Sequence, residues 1–417
     1  VSVLRQLPRA EDGTLPFHTF LWKVASRCNL DCTYCYVYNS VDQRWRLQPK
    51  LMSREVARQI AYRMREHLES YDKKDCLVTF HGGEAMLGGV EHLRMLASVL
   101  AEELAGSDVE YRISMQSNGT LFTTEIGDLM LEHKITTGIS LDGPPEVNDR
   151  FRVDHRGRPS SAVLEEKLRL LTSDRYRKLF TGFLCVIDTE SDPIEVFEYL
   201  RSWGTASVDF LFPLENWERM PPNKPKFEDT PYADWLIPIF DHWWDLGKPL
   251  KIRIFDSILR LICNVPTLVE SLGLDPVDLV VVETNGEIEG VDSLKTTFEG
   301  ASVLDFNVFD HGFREVAAHM AVQRRQSGVN ELCEICRNCP VVEVCGGGYL
   351  PHRYSPENGF DNPSIYCRDL EKLIRHIHGR LFGNLLGAEQ QGDTAILERA
   401  LMRAGRDGRT GLEGISV

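Results

Sequence analysis

The sequence predicts an α/β fold: a partial (β/α)6 barrel of the TIM type over residues 16–215, followed by a smaller cysteine-rich C-terminal domain. Three observations predict it. Short β-type runs alternate with helical stretches about six times, as in a parallel sheet whose crossovers are helices. Those runs end in glycines and polar residues, so reactive groups collect at one rim. The cysteines fall into two groups, one inside the first βα unit and one near the end.

The elements follow in order. HTFLWKVAS is a strand-like run that ends at Ser26-Arg27 and opens into a cysteine loop. A helix starts at Ser53, whose hydroxyl can cap it, with Val56, Ile60, Met64 and Leu68 on one face. Leu77–Phe80 is the next strand and runs into His81-Gly82-Gly83-Glu84. Tyr111–Met115 ends in Gln116-Ser117-Asn118-Gly119-Thr120, and Ile135–Leu141 in Ser140-Leu141-Asp142-Gly143-Pro144. Thr181–Ile187 and Val208–Phe212, each after a helical stretch, complete six units. Residues 1–15 are an N-terminal extension, 216–330 a bridging region, 331–384 the cysteine-rich domain and 385–417 a tail suited to a weak helix with a frayed end. Trp217, Trp235, Trp243 and Trp244 in the bridge are expected in a core rather than a peptide groove.

Composition bounds the function. With 417 residues, 42% hydrophobic and 26% charged, the chain reads as an ordinary globular protein of two or three domains. Its apolar runs stop after a few residues, so no membrane helix is expected. The first residues carry Arg5, Arg9, Glu11 and Asp12, the wrong order for a secretory signal, and a cytoplasmic location is expected. A net charge of −15 repels phosphate backbones and anionic lipid, so neither nucleic acid nor membrane is an expected partner.

Eleven cysteines in a chain able to build its own core do not form a disulfide framework. Cys76, Cys185 and Cys263 sit in apolar runs and are expected as small buried hydrophobes. Cys28, Cys32 and Cys35 form a Cx3Cx2C loop that supplies three thiolates where a closed zinc or iron–sulfur site needs four ligands. A [4Fe–4S] cluster held by three thiolates keeps one iron open, and S-adenosyl-L-methionine chelating that iron can be cleaved by one electron to a 5′-deoxyadenosyl radical. Zinc with His18 or His81 as fourth ligand is the alternative. Tyr34 and Tyr36 flank Cys35 as an apolar cover. The second group, Cys336-x2-Cys339-x5-Cys345 with Cys367, supplies four thiolates, enough to close a cluster; a zinc knuckle is the alternative there.

The cysteine loop, together with Gly82-Gly83-Glu84 at the next strand end, resembles the radical SAM superfamily. That resemblance implies that Gly82, Gly83 and Glu84 meet the methionyl amino group. It implies that Ser117, Asn118 and Ser140 hold the cofactor's carboxylate or ribose, and that an arginine of Asn148-Asp149-Arg150-Phe151-Arg152, above all Arg152, pairs the carboxylate. Tyr34 joins this set. The second cysteine group is similar to a SPASM extension, which implies an auxiliary [4Fe–4S] cluster on Cys336, Cys339, Cys345 and Cys367 with Gly346-Gly347-Gly348 folded around it. A fuller SPASM pattern has cysteines where Tyr349 and Val291 stand, the latter beyond Gly286, so the proximal auxiliary cluster is expected to be missing. Cys333 is surplus: an alternate ligand, a partial-site ligand or a plain thiol.

SLDGPPEVNDRFRVDHRGRPS, VETNGEIEGVDSLK and CGGGYLPHRYSPENGFDNPSIYCRDLEKLI look like the cyclophane-forming, FxsB-type radical SAM/SPASM peptide maturases, over about residues 18–380. That implies a ribosomal precursor peptide with a leader as substrate and a flavodoxin or ferredoxin-type electron donor. The implied reaction is oxidative joining of an aromatic ring carbon to a Cβ, with the auxiliary cluster taking up the electron. Glu283 and Asp292 are candidate bases by position. Competing expectations are Cβ oxidation as in anaerobic sulfatase maturases, thioether formation, peptide epimerisation, and a non-catalytic metal-binding scaffold.

Overall fold

Strand β1 (Thr19–Ala25) is buried along its whole length and stands inside a ten-stranded sheet of order β10-β9-β8-β1-β2-β3-β4-β5-β6-β7. The computed structural model describes residue 10, residues 13–267 and residues 269–390. Of the expected tail 385–417, residues 385–390 belong to the last helix and residues 391–417 lie outside the described residues, as do the charged residues of the N-terminal extension.

Six βα units build the barrel. After β1 come α1 (Arg54–Ser70), β2 (Asp75–Gly82), α2 (Gly89–Leu104), β3 (Glu110–Ser117), α3 (Thr124–His133) and β4 (Ile135–Ser140). The short α4 (Pro145–Asn148), α5 (Ser161–Leu171), β5 (Phe180–Val186), α6 (Pro193–Ser202) and β6 (Ser207–Leu211) complete the set. Neighbouring strands from β1 to β6 all pair in parallel. The helices form for local reasons. Ser53 Oγ accepts from Val56 N at 3.1 Å and starts α1, whose Val56, Ile60, Met64 and Leu68 are buried. Asp192 accepts from Ile194 N and Glu195 N, and Pro193 opens α6 with a preset φ.

The bridging residues do not stand apart from this sheet. α7 (Pro231–Asp245) covers it, two-residue β7 (Lys251–Ile252) pairs with β6, and α8 (Arg253–Ile262) follows. β8 (Leu279–Val282) then returns to pair in parallel with β1, Thr19 opposite Leu279 and Trp22 opposite Val282. The antiparallel β9 (Glu287–Glu289) and β10 (Val303–Asn307) extend that edge. Short helices α9 (Phe313–Ala317), α10 (Met320–Arg324), α11 (Glu334–Arg337) and α12 (Val342–Cys345) lead to α13 (Cys367–Gln390). Lys224 and Asp369 form a fully buried ion pair at 2.8 Å. Asp369 Oδ1 also accepts from Tyr232 N and Ala233 N, so α13 caps the first turn of α7.

Trp235 and Trp243 are buried, while Trp217 and Trp244 are half-buried against the same core. Cys76 and Cys185 are buried as expected. Cys263 is a correction: it is exposed, because α8 ends at Ile262 and its thiol follows the last helical turn out of the apolar stripe. Among the described residues no helix is long and apolar enough to cross a membrane.

Candidate active site

The cysteine loop leaves the C-terminal end of β1 and is held from three sides. Asp31 N and Thr33 N donate to Val153 O (2.7 Å) and Phe151 O (3.0 Å), and Cys35 N donates to Cys32 O (2.9 Å). From β2, Gly83 N donates to Ala25 O at 2.8 Å and Glu84 N to Arg27 O at 3.1 Å. Gly82 has φ +139°, and a Cβ on it would overlap the Ala25 carbonyl oxygen; one on Gly83 would overlap the Tyr38 hydroxyl. Two glycines here therefore serve a backbone-to-backbone approach that no larger residue permits.

A cavity of about 780 Å³ opens over this loop, lined by Cys28, Cys32 and Cys35 together with Gly82, Gly83, Ser117, Asn118, Ser140, Arg152 and Tyr34. The sequence-predicted cofactor set thus converges on one space, with Glu84 one layer behind. Its carboxylate accepts from Ser117 Oγ (2.7 Å), Asn118 N (2.8 Å) and Met86 N (2.9 Å), which fixes the end of β3. Burial raises the Glu84 pKa, and these hydrogen bonds oppose that rise. Arg152 Nε donates to Asp142 Oδ2 at 2.9 Å, and the same carboxylate takes the Tyr34 hydroxyl. Its other oxygen accepts from Val186 N, so Asp142 orients Arg152 and Tyr34 at the wall. Arg150 points elsewhere, to Asp188 and Glu190.

The three thiols suit a cluster. Burial pushes Cys32 up to about 11 and moves Cys28 and Cys35 the same way, so thiolates here need the charge of bound iron. Among the described residues no three His, Cys, Asp or Glu side chains converge on a single ion. Ligands of a cuboidal cluster each hold a different iron and stand wider apart than ligands of one ion. Each of the two histidines named for the zinc alternative has another partner. His18 pairs with Asp75 at the far end of β1, roughly 20 Å of strand away. His81 faces Lys23 Nζ at 3.3 Å, and burial first, then Lys23, lower it to about 3.

Glu283 and Asp292 are buried behind the wall. Glu283 pairs with Lys295 Nζ at 2.5 Å, and Lys295 also meets Glu289 at 2.8 Å. Asp292 Oδ2 takes Lys23 Nζ and the Tyr36 hydroxyl (2.8 Å). Neither acid lines the cavity. The C-terminal half contributes Tyr349, His352 and Tyr366 to the wall, and Phe210 and Phe212 come from the end of β6. Sequence reasoning assigned these no role. A lysine inside the buried run FLWKVA was the readable signal for Lys23, since a buried cation requires a partner.

A second cavity of about 270 Å³ is lined by Cys336, Cys339, Cys345 and Cys367. Gly346, Gly347 and Gly348 all have positive φ, and Arg353 binds their three carbonyls at 2.8–3.0 Å, which stiffens the loop after Cys345. A Cβ on Gly346 would overlap the Gly273 carbonyl oxygen. Burial pushes Cys345 up to about 12 and Cys367 to about 11, as in the first site. Cys333 is buried beside Leu332 and Cys336 and does not line this cavity.

Residues 22–200 match the model of the radical SAM superfamily. The cysteine-type anaerobic sulfatase-maturating enzyme of Clostridium perfringens is 24% identical over 388 residues, covering 88% of this chain and 97% of its own length. The serine-type enzyme of Bacteroides thetaiotaomicron is 22% identical, covering 87% and 89%. The solved structure of native anSMEcpe with bound AdoMet superposes with a TM-score of 0.74 at 23% identity, covering 88% of this chain and 98% of that one. Streptococcus suis SuiB bound to precursor peptide SuiA gives 0.57 at 12% identity, covering 86% and 77%. The near relatives found are thus sulfatase-maturating enzymes rather than cyclophane-forming ones. With the matched segment spanning β1 to α6 and carrying the three-cysteine loop at the rim, residues 22–200 are a radical SAM domain.

Proposed function

We propose that this enzyme oxidatively cross-links side chains of a ribosomally made precursor peptide, joining an aromatic ring carbon to a nearby Cβ. The observation that carries this reading is the cavity, which runs from the three-cysteine loop to Tyr349, His352 and Tyr366 and is walled by Tyr34, Phe151 and Phe212. Its size is in the range that receives a cofactor and a substrate side chain. Cys28, Cys32 and Cys35 would hold a [4Fe–4S] cluster, and Cys336, Cys339, Cys345 and Cys367 an auxiliary one. When bound, the first cluster and S-adenosyl-L-methionine supply a hydrogen-abstracting radical.

The chain's own residues bind and orient. Gly82, Gly83, Ser117, Asn118, Ser140 and Arg152 frame the cofactor end of the cavity, and the aromatic wall offers edge-to-face contacts to a substrate ring. Enclosure excludes water from a reactive side chain. Joining two C–H carbons removes one hydrogen atom, one electron and one proton; a cluster held by the four-cysteine site would take the electron. A flavodoxin or ferredoxin-type carrier would reduce the first site.

The similarity to sulfatase-maturating relatives across most of the chain favours a second reading, oxidation of a peptide cysteine or serine Cβ without a new carbon–carbon bond. Anaerobic turnover with S-adenosyl-L-methionine and dithionite separates them. Aromatic-rich precursor peptides should lose two hydrogens and give linked fragments in tandem mass spectrometry. An aldehyde on a Cys- or Ser-containing sulfatase-type peptide, with the aromatic peptides unchanged, would replace the first reading by the second.

A further inference from the structure

We propose that Asp292 and Ser293 form a positioning bracket that fixes the three-cysteine loop relative to the four-cysteine loop across the cavity. The two residues are adjacent in one 3-10 turn, Asp292–Thr296, and each grips a tyrosine from a different loop. Asp292 Oδ2 accepts from the hydroxyl of Tyr36, the residue after Cys35, at 2.8 Å. Ser293 Oγ and the hydroxyl of Tyr349, four residues after Cys345, are 2.6 Å apart. One peptide unit thus separates the anchor of one ligand loop from the anchor of the other.

The bracket is stiff at every joint. Asp292 is fully buried and ion-paired to Lys23 on β1, so the turn is tied to the barrel. Lys295 in the same turn meets Glu283 and Glu289, which ties it to β8 and β9. On the auxiliary side, Arg353 pins the carbonyls of Gly346, Gly347 and Gly348, so a displacement of Tyr349 is passed on to Cys345. On the other side, Cys35 N is bonded to Cys32 O, so a displacement of Tyr36 reaches two ligands. Tyr36, Ser293 and Tyr349 line the cavity, whereas Asp292 does not, which makes Asp292 a positioning residue acting through Tyr36. The inference rests on the two-cluster reading and is independent of which peptide reaction follows.

The test is a cross-site readout on the reconstituted full chain. Iron and sulfide content first establish two clusters in wild type and in Ser293→Ala, the mild variant that touches only the auxiliary side. Electron paramagnetic resonance of the dithionite-reduced protein is then recorded with and without S-adenosyl-L-methionine. The bracket predicts that Ser293→Ala shifts the cofactor-perturbed signal of the distant three-cysteine cluster. It also predicts weaker S-adenosyl-L-methionine binding by up to about five-fold, the equivalent of one hydrogen bond. Ser293→Thr, which keeps the hydroxyl, should restore both. Conversely, Tyr36→Phe in a Cys28→Ala/Cys32→Ala/Cys35→Ala background should shift the auxiliary signal. Changes confined to the nearer cluster in both variants, or full iron loading with no change at either, would overturn the bracket. Wild type with only one cluster would remove its premise, and the peptide assay above would still stand on its own.

Discussion

Replacing Gly82 by alanine probes the close approach on which the cofactor end of the cavity depends. At φ +139° an L-residue pays about 1–3 kcal/mol of backbone strain. The new Cβ would overlap the Ala25 carbonyl oxygen and lie 3.0 and 3.1 Å from the Ala25 carbonyl carbon and nitrogen. These are main-chain atoms of a paired strand and cannot swing aside, so overpacking adds about 1–3 kcal/mol. The expected loss is therefore about 2–6 kcal/mol, a large part of a domain's stability. Gly89→Ala is the matched control: its φ is +71° with nothing within 4 Å of the Cβ position, so it should cost only about 1–2 kcal/mol. Anaerobic urea denaturation of both variants isolates the steric part by difference, and equilibrium dialysis reads S-adenosyl-L-methionine binding. Equal destabilisation by the two substitutions, or undiminished cofactor binding by Gly82→Ala, would refute the reasoning.

Cys28→Ala/Cys32→Ala/Cys35→Ala should lower iron from about eight to about four per chain and abolish the cofactor-perturbed resonance; unchanged iron would show that this loop holds no cluster. Asp369→Ala strands a buried Lys224 and removes the acceptor of two α7 N–H groups, so a loss of about 3–5 kcal/mol is expected in denaturant unfolding. Burial first, with Glu283 adding to it against the pull of Lys295, raises Glu289 to about 7. The folded state therefore holds a proton that the unfolded chain releases near pH 4.5, so this group's stabilisation is present below that pH and is lost as pH rises through 7. Glu289→Gln should accordingly remove a stability decline between about pH 4.5 and 7, on the order of 1–3 kcal/mol, read from urea midpoints at several pH values. An identical pH profile in wild type and variant would contradict it.

Much of the barrel was legible because its signals are local. Ser53, the period of Val56 to Leu68, and strands ending in Gly82-Gly83 or Ser117-Asn118 each speak within a few residues. The cysteine spacings were legible for the same reason, since Cys28, Cys32 and Cys35 lie in a single loop. What was not legible depends on distant partners. β7 is two residues long, β9 three, and β8 joins the sheet by pairing with β1 across more than half the sequence. The ion pair of Lys23 with Asp292 joins residues from opposite ends of the sheet's sequence, so Asp292 read as a solitary acid. The pairing of Arg152 with Asp142 was hidden differently: both residues were in view, but their contact follows from the path of α4 between them. Cys263 misled because an apolar run continues one residue past the point where its helix stops.

The pairing of β1 with β8 sets the order in which this molecule can be finished. β1 precedes the other strands of its sheet in the chain, yet one of its two edges is completed by residues 279–282, more than half the sequence later. Parallel pairings across such sequence separations carry a large loop-closure cost and form slowly. Until then the N–H and C=O groups along that edge are a template for pairing with another chain. Nascent or truncated chains ending before Leu279 should therefore associate and precipitate, and suppression of their aggregation should need a chaperone or low temperature. The three-cysteine loop begins three residues beyond this strand, so a cluster held by Cys28, Cys32 and Cys35 should load only after β8 has paired with β1.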